Sequence, residues 1–289
     1  MEKCLVLLSN GLDSRLACKI LQEQADVEAV FFVLPFCKNT EATAKKFCSE
    51  NKIKLHIIDY TQEKLKEYLD LIRKPKHPRG TALNPCIDCH MFMMRKAKEL
   101  ADRLKIKIIA SGEVLGERPL SQTKKAFEII DKNLGFEILR PLSAKLLQET
   151  CYEKDNLVNR EKLLDIKGRR RDRQFELAKK YKIDFPSPGG GCLLCEKDYC
   201  KKLKPILDNK LNFNDIKLLS IGRHFQASEI IIGRNQEENL ILEKQSGIKL
   251  IPEQPGPTAL VKRKELIPEA KELIQKYSKH KITEFEIKN

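Results

Sequence analysis

Over the first 110 residues, short apolar runs alternate with amphipathic helical patterns, and this alternation restricts the chain to few folds. Cys4–Leu5–Val6–Leu7–Leu8 reads as a buried strand, closed by the turn formers Ser9–Asn10–Gly11. Leu16, Ala17, Ile20 and Leu21 then recur at helical spacing. Val27–Val33 reads as a second strand, 41–51 as a helix, Ile53–Ile58 as a third strand and 62–72 as a helix. Met91–Leu104 is a strongly amphipathic helix, and Ile106–Ala110 follows it as a fourth strand. Strands alternating with helices pack as a parallel sheet covered on both faces. The expected class is therefore α/β, a doubly wound parallel sheet. Ligands of such sheets bind at the carboxyl ends of the strands. That places loops 9–14 and 111–122, and the loop after Phe32, at the candidate site.

The pattern changes after about residue 140. Residues 143–182 read as mainly helical and very basic, with Arg169, Arg170, Arg171 and Arg173. Pro186–Ser187–Pro188–Gly189–Gly190–Gly191 is the clearest loop signal, and a basic helix is expected near 198–208. Beyond 215, Ile230–Ile232, Leu240–Leu242 and Ala259–Val261 read as strands and 265–278 as a helix, a small α/β module. The expected division is 1–142, 143–212 and 213–289.

The formal net charge of +14 favours polyanionic partners, although lysine used as a solubilising residue gives the same number. No stretch approaches the ~20 apolar residues of a membrane span, and the first apolar run is too short for a signal peptide. A cytoplasmic protein with no membrane association is expected. Ten cysteines in such a chain do not read as disulfides. Cys4, Cys18, Cys37, Cys48 and Cys151 stand singly and read mostly as small buried apolar residues. Cys86 and Cys89, with Cys192, Cys195 and Cys200, are grouped as metal or redox cysteines are.

Ser9–Asn10–Gly11–Leu12–Asp13–Ser14 joins a strand to a helix, where backbone amides and hydroxyls can hold a phosphate. The plain alternative is an Asn-Gly turn with a helix cap. The hexapeptide resembles the Ser-Gly-Gly-x-Asp-Ser signature of the PP-loop ATP pyrophosphatases, with Asn10 in place of the first Gly. The resemblance implies an adenine nucleotide alpha hydrolase-like fold and cleavage of ATP between its α and β phosphates. It also implies phosphate binding by Ser9, Asn10, Gly11 and Ser14, with Asp13 positioning Mg2+. Asn84–Pro85–Cys86–Ile87–Asp88–Cys89 and Ser111–Gly112–Glu113 resemble the middle of tRNA 2-thiouridine synthases, with Glu113 where those enzymes have His. Ser111 and Gly112 would thus approach the nucleotide, as would Phe32. Ile138–Leu139–Arg140–Pro141–Leu142 is also similar to PP-loop tRNA thiolases, and Gly189–Leu194 to their sulfur-bearing Cys segment. Gly222–Phe225, Ile232–Asn239 and Pro255–Leu260 resemble the RNA-binding domain of NFACT-type proteins. Thiolases related to the 4-thiouridine synthase ThiI include a subset with such a module, which this chain resembles.

Three readings of the paired cysteines follow. The spacing of Cys86-x-x-Cys89 and Cys192-x-x-Cys195 suits structural Zn2+. The resemblance to related thiolases implies a 4Fe–4S cluster on Cys86, Cys89 and Cys192, with one iron open. The resemblance to 2-thiouridine synthases implies no metal, a persulfide on Cys192 and attack on it by Cys89. On either sulfur route Asp13, Cys89 and Cys192 carry the catalysis. His90 reads as an exposed helix-start residue, and His224 either stacks on a base or is a buried hydrogen-bonding residue. Arg169, Arg170, Arg171, Lys201 and Lys202 flank the Cys192 loop and suit RNA phosphates, with Arg223 and Arg234 in the last module. The expectation is ATP-dependent thiolation of tRNA, fed by sulfide or a persulfide carrier, with a homodimer through the C-terminal module as one arrangement. The alternatives are an RNA- or ribosome-binding protein on a non-catalytic scaffold, and a PP-loop ligase or amidotransferase acting on a small molecule.

Overall fold

The computed structural model describes residues 1–38, 40–185 and 191–289, which divide into two compact units, Met1–Cys195 and Glu196–Asn289. The loop read at Pro186–Gly191 lies outside the described residues up to Gly190. Among the described residues, no helix is long and apolar enough to cross a membrane.

The first unit runs β1 (Lys3–Leu8), α1 (Leu12–Gln22), β2 (Asp26–Val33), α2 (Glu41–Glu50), β3 (Lys54–Asp59), α3 (Leu65–Arg73), α4 (Cys86–Leu104), β4 (Ile108–Ser111) and α5 (Lys124–Leu134). The sheet is fully parallel in the order β3-β2-β1-β4. Alternate residues of each strand supply its two faces. Cys4, Val6, Val27, Ala29, Phe31, Ile108 and Ala110 form one face, packed on Leu12, Leu16 and Ile20 of α1 and Phe47 of α2. Helix α4 packs on β1 and β4 with Met91, Met94 and Ala97 buried. The chain steps outward from β1 to β3 and then returns to place β4 on the other side of β1. That reversal opens a crevice at the carboxyl ends of β1 and β4, where ligands of such sheets sit.

Residues 143–182 contain less helix than their sequence suggests. Only the short α6 (Cys151–Lys154) and α7 (Asp172–Tyr181) are α-helical, joined by loops and isolated 3-10 turns. Leu142, Tyr152, Leu163, Ile166 and Ala178 nevertheless join the sheet's core, so the segment belongs to the first unit.

The second unit holds α8 (Lys197–Leu203), α9 (Phe213–Leu218), β5 (Arg223–Phe225), β6 (Ile230–Ile232), α10 (Gln236–Glu243), β7 (Ile248–Pro252), β8 (Ala259–Val261), α11 (Ile267–Tyr277) and β9 (Phe285–Lys288). Its antiparallel sheet has the order β5-β6-β8-β7-β9. Leu240–Leu242, expected as a strand, lies in α10. Asn235 caps that helix by accepting from the Glu238 amide, and a cap of this kind decides the state of an ambiguous apolar triplet. Arg234 pairs with Glu238. Asn239 donates to Gly256 O at 3.2 Å and accepts from Thr258 N at 3.1 Å.

Asn239 is 7% exposed, so its removal strands the half-buried Gly256 carbonyl and the buried Thr258 amide. Asn239→Ala is expected to cost about 1–3 kcal/mol, read by equilibrium denaturation. Protection of the Thr258 amide from hydrogen exchange should fall with it. Unchanged protection would show that the Asn239 bridge does not hold β8 in place.

Candidate active site

The loop after β1 is closed from within. The Ser14 hydroxyl accepts from Ser9 N at 3.1 Å and from Ser9 Oγ at 3.3 Å, and donates to Gly11 O at 2.9 Å. Asn10 has φ of 67°, the left-handed conformation that glycine or asparagine adopts most readily. Its side chain is buried and donates to Thr40 O at 2.9 Å. Gly11 precedes α1 and no side chain caps that helix, so its first-turn N–H groups are not taken by a capping oxygen. An uncapped N-terminus with the positive end of the helix dipole is suited to an anion.

Gly112 seals this loop against β4. A Cβ there would lie 2.5 Å from the Cα and N of Ser14 and 2.7 Å from the carbonyl carbon of Asp13. Only glycine permits so close a backbone approach. Ser111, at the end of β4, is buried and donates to Glu113 at 3.1 Å. Phe32 is a buried residue of β2, one position before the strand ends.

Two acidic groups, each paired with arginine, border the crevice. Asp13 accepts from Arg171 at 3.1 and 3.2 Å, and Glu117 lies 3.7 Å from the same guanidinium. Burial, reinforced by the charge of Asp13, pushes Glu117 up to about 6. Arg171, grouped with Arg169 and Arg170 by sequence, is therefore turned inward against two carboxylates and away from solvent, whereas those two neighbours are exposed.

Deeper in, Glu113 accepts from Arg140 Nε at 2.9 Å and shares a 2.7 Å hydrogen bond with His90 Nδ1. Burial would raise the Glu113 carboxyl, but Arg140 and His90 outweigh it and hold the group at about 2. Arg140 also forks onto Asp131 at 2.9 and 3.0 Å. His90 is thus a partner of Glu113, not the exposed helix-start residue its position suggested.

The cysteines gather at the same end of the sheet. Cys86 and Cys89 lie in the first turn of α4, where the Asn84 amide donates to Cys86 Sγ at 3.3 Å. Buried Asp88 accepts from the amides of Lys76 and His77 and ties the preceding loop to the helix. Cys89 shares a 3.3 Å hydrogen bond with the Tyr68 hydroxyl, and burial pushes its thiol up to about 12. Cys192 forms hydrogen bonds with Cys195 and Cys37. The first pulls its thiol down, but Cys37 and burial outweigh it and push the group up to about 12. Cys37, read as an isolated apolar residue, is therefore a member of the thiol group. It carries no local signal, because its partner is remote in sequence. Cys195 belongs to the first unit and is exposed, whereas Cys200 is a buried residue of α8 in the second. Among the described residues, no three His, Cys, Asp or Glu side chains converge closely enough to hold a metal ion. Neither the 4Fe–4S cluster expected on Cys86, Cys89 and Cys192 nor a four-thiolate Zn2+ site is shown by this arrangement.

The second unit spends several expected RNA contacts internally. Arg234 is tied to Glu238 and to Ser220 O, and Arg223 lies over the Tyr277 ring at 4.5 Å. Lys202 donates to Leu219 O, while Lys201 is exposed beside Asp198. His224 is half-buried and binds the carbonyls of Leu218 and Ile221, and burial lowers its pKa to about 4. The hydrogen-bonding alternative for His224 is the one observed.

Residues 1–162 match the family model described as thiamine biosynthesis protein (ThiI). The chain is 30% identical over 168 residues to a probable tRNA sulfurtransferase of Ureaplasma parvum serovar 3, covering 54% of this chain and 39% of that protein. It is 31% identical over 166 residues to a tRNA sulfurtransferase of Blochmanniella pennsylvanica, covering 55% and 31%. The chain thus spans well under half the length of these relatives. An NH3-dependent NAD synthetase structure from Campylobacter jejuni aligns at 16% identity and a TM-score of 0.35, over 75% of this chain and 77% of that one.

Glu117 gives the site a measurable pH signature. Its folded-state pKa lies above the ordinary 4.5, so its contribution to stability is full below about 4.5 and is lost as pH rises through about 6. Glu117→Gln is expected to stabilise the protein at pH 8 by on the order of 1 kcal/mol and to change little at pH 4. A denaturation series across that range checks it. Equal shifts at both ends would mean that the charge of Glu117 is not disfavoured by the fold.

Proposed function

Since the chain belongs to the thiamine biosynthesis protein (ThiI) family, we propose that it is an ATP-dependent tRNA thiolation enzyme that adenylates a nucleobase carbonyl and then replaces its oxygen with sulfur. One observation carries the reading. A phosphate-type loop at the β1–β4 crevice and a group of cysteines occupy the same end of one parallel sheet.

In this reading the phosphates of ATP rest on the first turn of α1 and on Ser9, Asn10, Gly11 and Ser14, and the Ser111–Gly112 strand end borders the nucleotide. Mg2+ is usually held by one or two carboxylates together with substrate phosphates. Asp13 and Glu117 are such a pair, and the ion would neutralise charge on the pyrophosphate. Arg171 supplies cationic charge at the same carboxylates. The base oxygen attacks the α-phosphorus, pyrophosphate leaves, and the oxygen becomes part of an AMP leaving group. Sulfur then attacks the activated carbon and AMP departs.

Cys192 is assigned as the sulfur carrier, loaded as a persulfide by a persulfide-carrying donor. This assignment is supported by the hydrogen-bonded thiols around it, and no step is routed through a cluster. Exposed Arg169 and Arg170, with Lys201, are assigned to RNA phosphates. Such contacts position the nucleic acid without reading its sequence. The second unit is assigned as an RNA-binding module, on its likeness in sequence to NFACT-type domains and on the basic charge of the chain.

The test is nucleoside mass spectrometry of tRNA incubated with the purified chain, ATP and a persulfide donor. Thionucleoside is expected to form with stoichiometric AMP and pyrophosphate. Cys192→Ala should abolish it, and Asp13→Asn should slow AMP formation by at least about tenfold, ~1.4 kcal/mol in the barrier. Thiolation unaffected by Cys192→Ala sinks the carrier role. Iron and acid-labile sulfide near about four each per chain, lost in Cys86→Ala, would assign sulfur delivery to a cluster instead.

A further inference from the structure

We propose that Cys37, and not Cys89, is the thiol that resolves a persulfide on Cys192, and that the two cysteines form a dithiol–disulfide pair. The inference rests on the sulfur-carrier reading of Cys192 and adds its partner.

Register is the first observation. Cys37 and Cys192 face each other in an isolated antiparallel bridge. The bonds on either side are Lys38 N to Gly191 O at 2.9 Å and Leu193 N to Phe36 O at 2.8 Å. Bonds between the flanking residues, and none between the two cysteines, define the non-hydrogen-bonded type of antiparallel pair. Such pairs bring Cα atoms to about 4.5 Å, with side chains close together. Disulfides span Cα separations of about 4.4–6.8 Å. The backbone register therefore gives the two cysteines a Cα separation that a disulfide spans, with no rearrangement of the chain.

The thiols themselves are the second observation, because the Cys37 side chain is in hydrogen-bond contact with that of Cys192. Cys89 differs in both respects. It lies in the first turn of α4, and its sulfur is engaged by the Tyr68 hydroxyl at 3.3 Å.

The step balances as follows. The Cys37 sulfur attacks the Cys192 Sγ of the persulfide and loses its proton to solvent. The Sγ37–Sγ192 bond forms, and the bond from Cys192 Sγ to the outer sulfur breaks. That sulfur leaves as hydrosulfide with the bonding electron pair. The outer sulfur is reduced and the two cysteines are oxidised by the same two electrons. A dithiol reductant returns the pair to thiols, and a persulfide donor reloads Cys192.

The experiment uses the full chain, inorganic polysulfide as the sulfur source, and neither ATP nor RNA. Sulfide release is timed, and the product is mapped by non-reducing peptide mass spectrometry. Wild type and Cys89→Ala are expected to release sulfide and to yield a Cys37–Cys192 linked peptide. Cys37→Ala and Cys37→Ser should keep the persulfide and release sulfide at least about 100-fold more slowly, since a positioned thiol is replaced by none. The wild-type map needs no variant to fold. A Cys89–Cys192 link, or wild-type release from Cys37→Ser, overturns the proposal. If the Cys37–Cys192 link forms but Cys192→Ala still thiolates tRNA, the pair stands and the carrier reading alone fails.

Discussion

Gly112 lets the end of β4 lie directly on the backbone of Asp13 and Ser14, and the geometry of the crevice depends on that contact. A side chain there would push β4 away from the start of α1 and unseat the loop between them. With the contact made, the Ser14 hydroxyl gathers Ser9 and Gly11 around itself, so the loop is shaped by its own residues before any ligand arrives. Asn10 accommodates the left-handed turn this demands and anchors the loop to Thr40. The replacement of glycine by asparagine therefore keeps the required backbone conformation and adds a tether.

Charge is arranged around this contact in two groups. Glu113 and Arg140 are both almost fully enclosed, and each satisfies the other, with His90 and Asp131 completing the network. Removing one member of such a pair leaves an uncompensated buried charge, which is strongly unfavourable. That network fixes α4 relative to β4. In the second group, Asp13 and Glu117 oppose one another across the single guanidinium of Arg171. The Glu113–Arg140 pair therefore holds the scaffold, while Arg171 links Asp13 to Glu117.

The strand positions and the loops at their ends were legible because period and turn chemistry are local. Leu240–Ile241–Leu242 was not, since three apolar residues in a row fit strand and helix alike. The decision came from Asn235, which caps α10. The arginine run also misled in part, for a run of charge says nothing of which member faces inward. Arg171 turns toward Asp13 because the carboxylate lies there, 158 residues earlier in the chain. His90 and Glu113 are 23 residues apart and meet only when α4 docks on β4. Cys37 and Cys192 are further apart still, and no spacing rule joins them.

The Cys192 segment shows how residues outside the best-matched part of a chain can be held by residues inside it. The family match ends at residue 162, short of Cys192. Three backbone hydrogen bonds nevertheless fasten the segment to elements inside that match: Lys38 N to Gly191 O, Leu193 N to Phe36 O, and Leu83 N to Leu194 O. Two of them grip the loop after β2, and the third grips the loop before α4. Cys192, held by two such loops, is placed at the sheet end by backbone register, which side-chain substitutions disturb little. Its thiol environment is then set by Cys195, Cys37 and burial. Position and thiol environment are separable in this arrangement, since backbone register sets the first and side chains set the second.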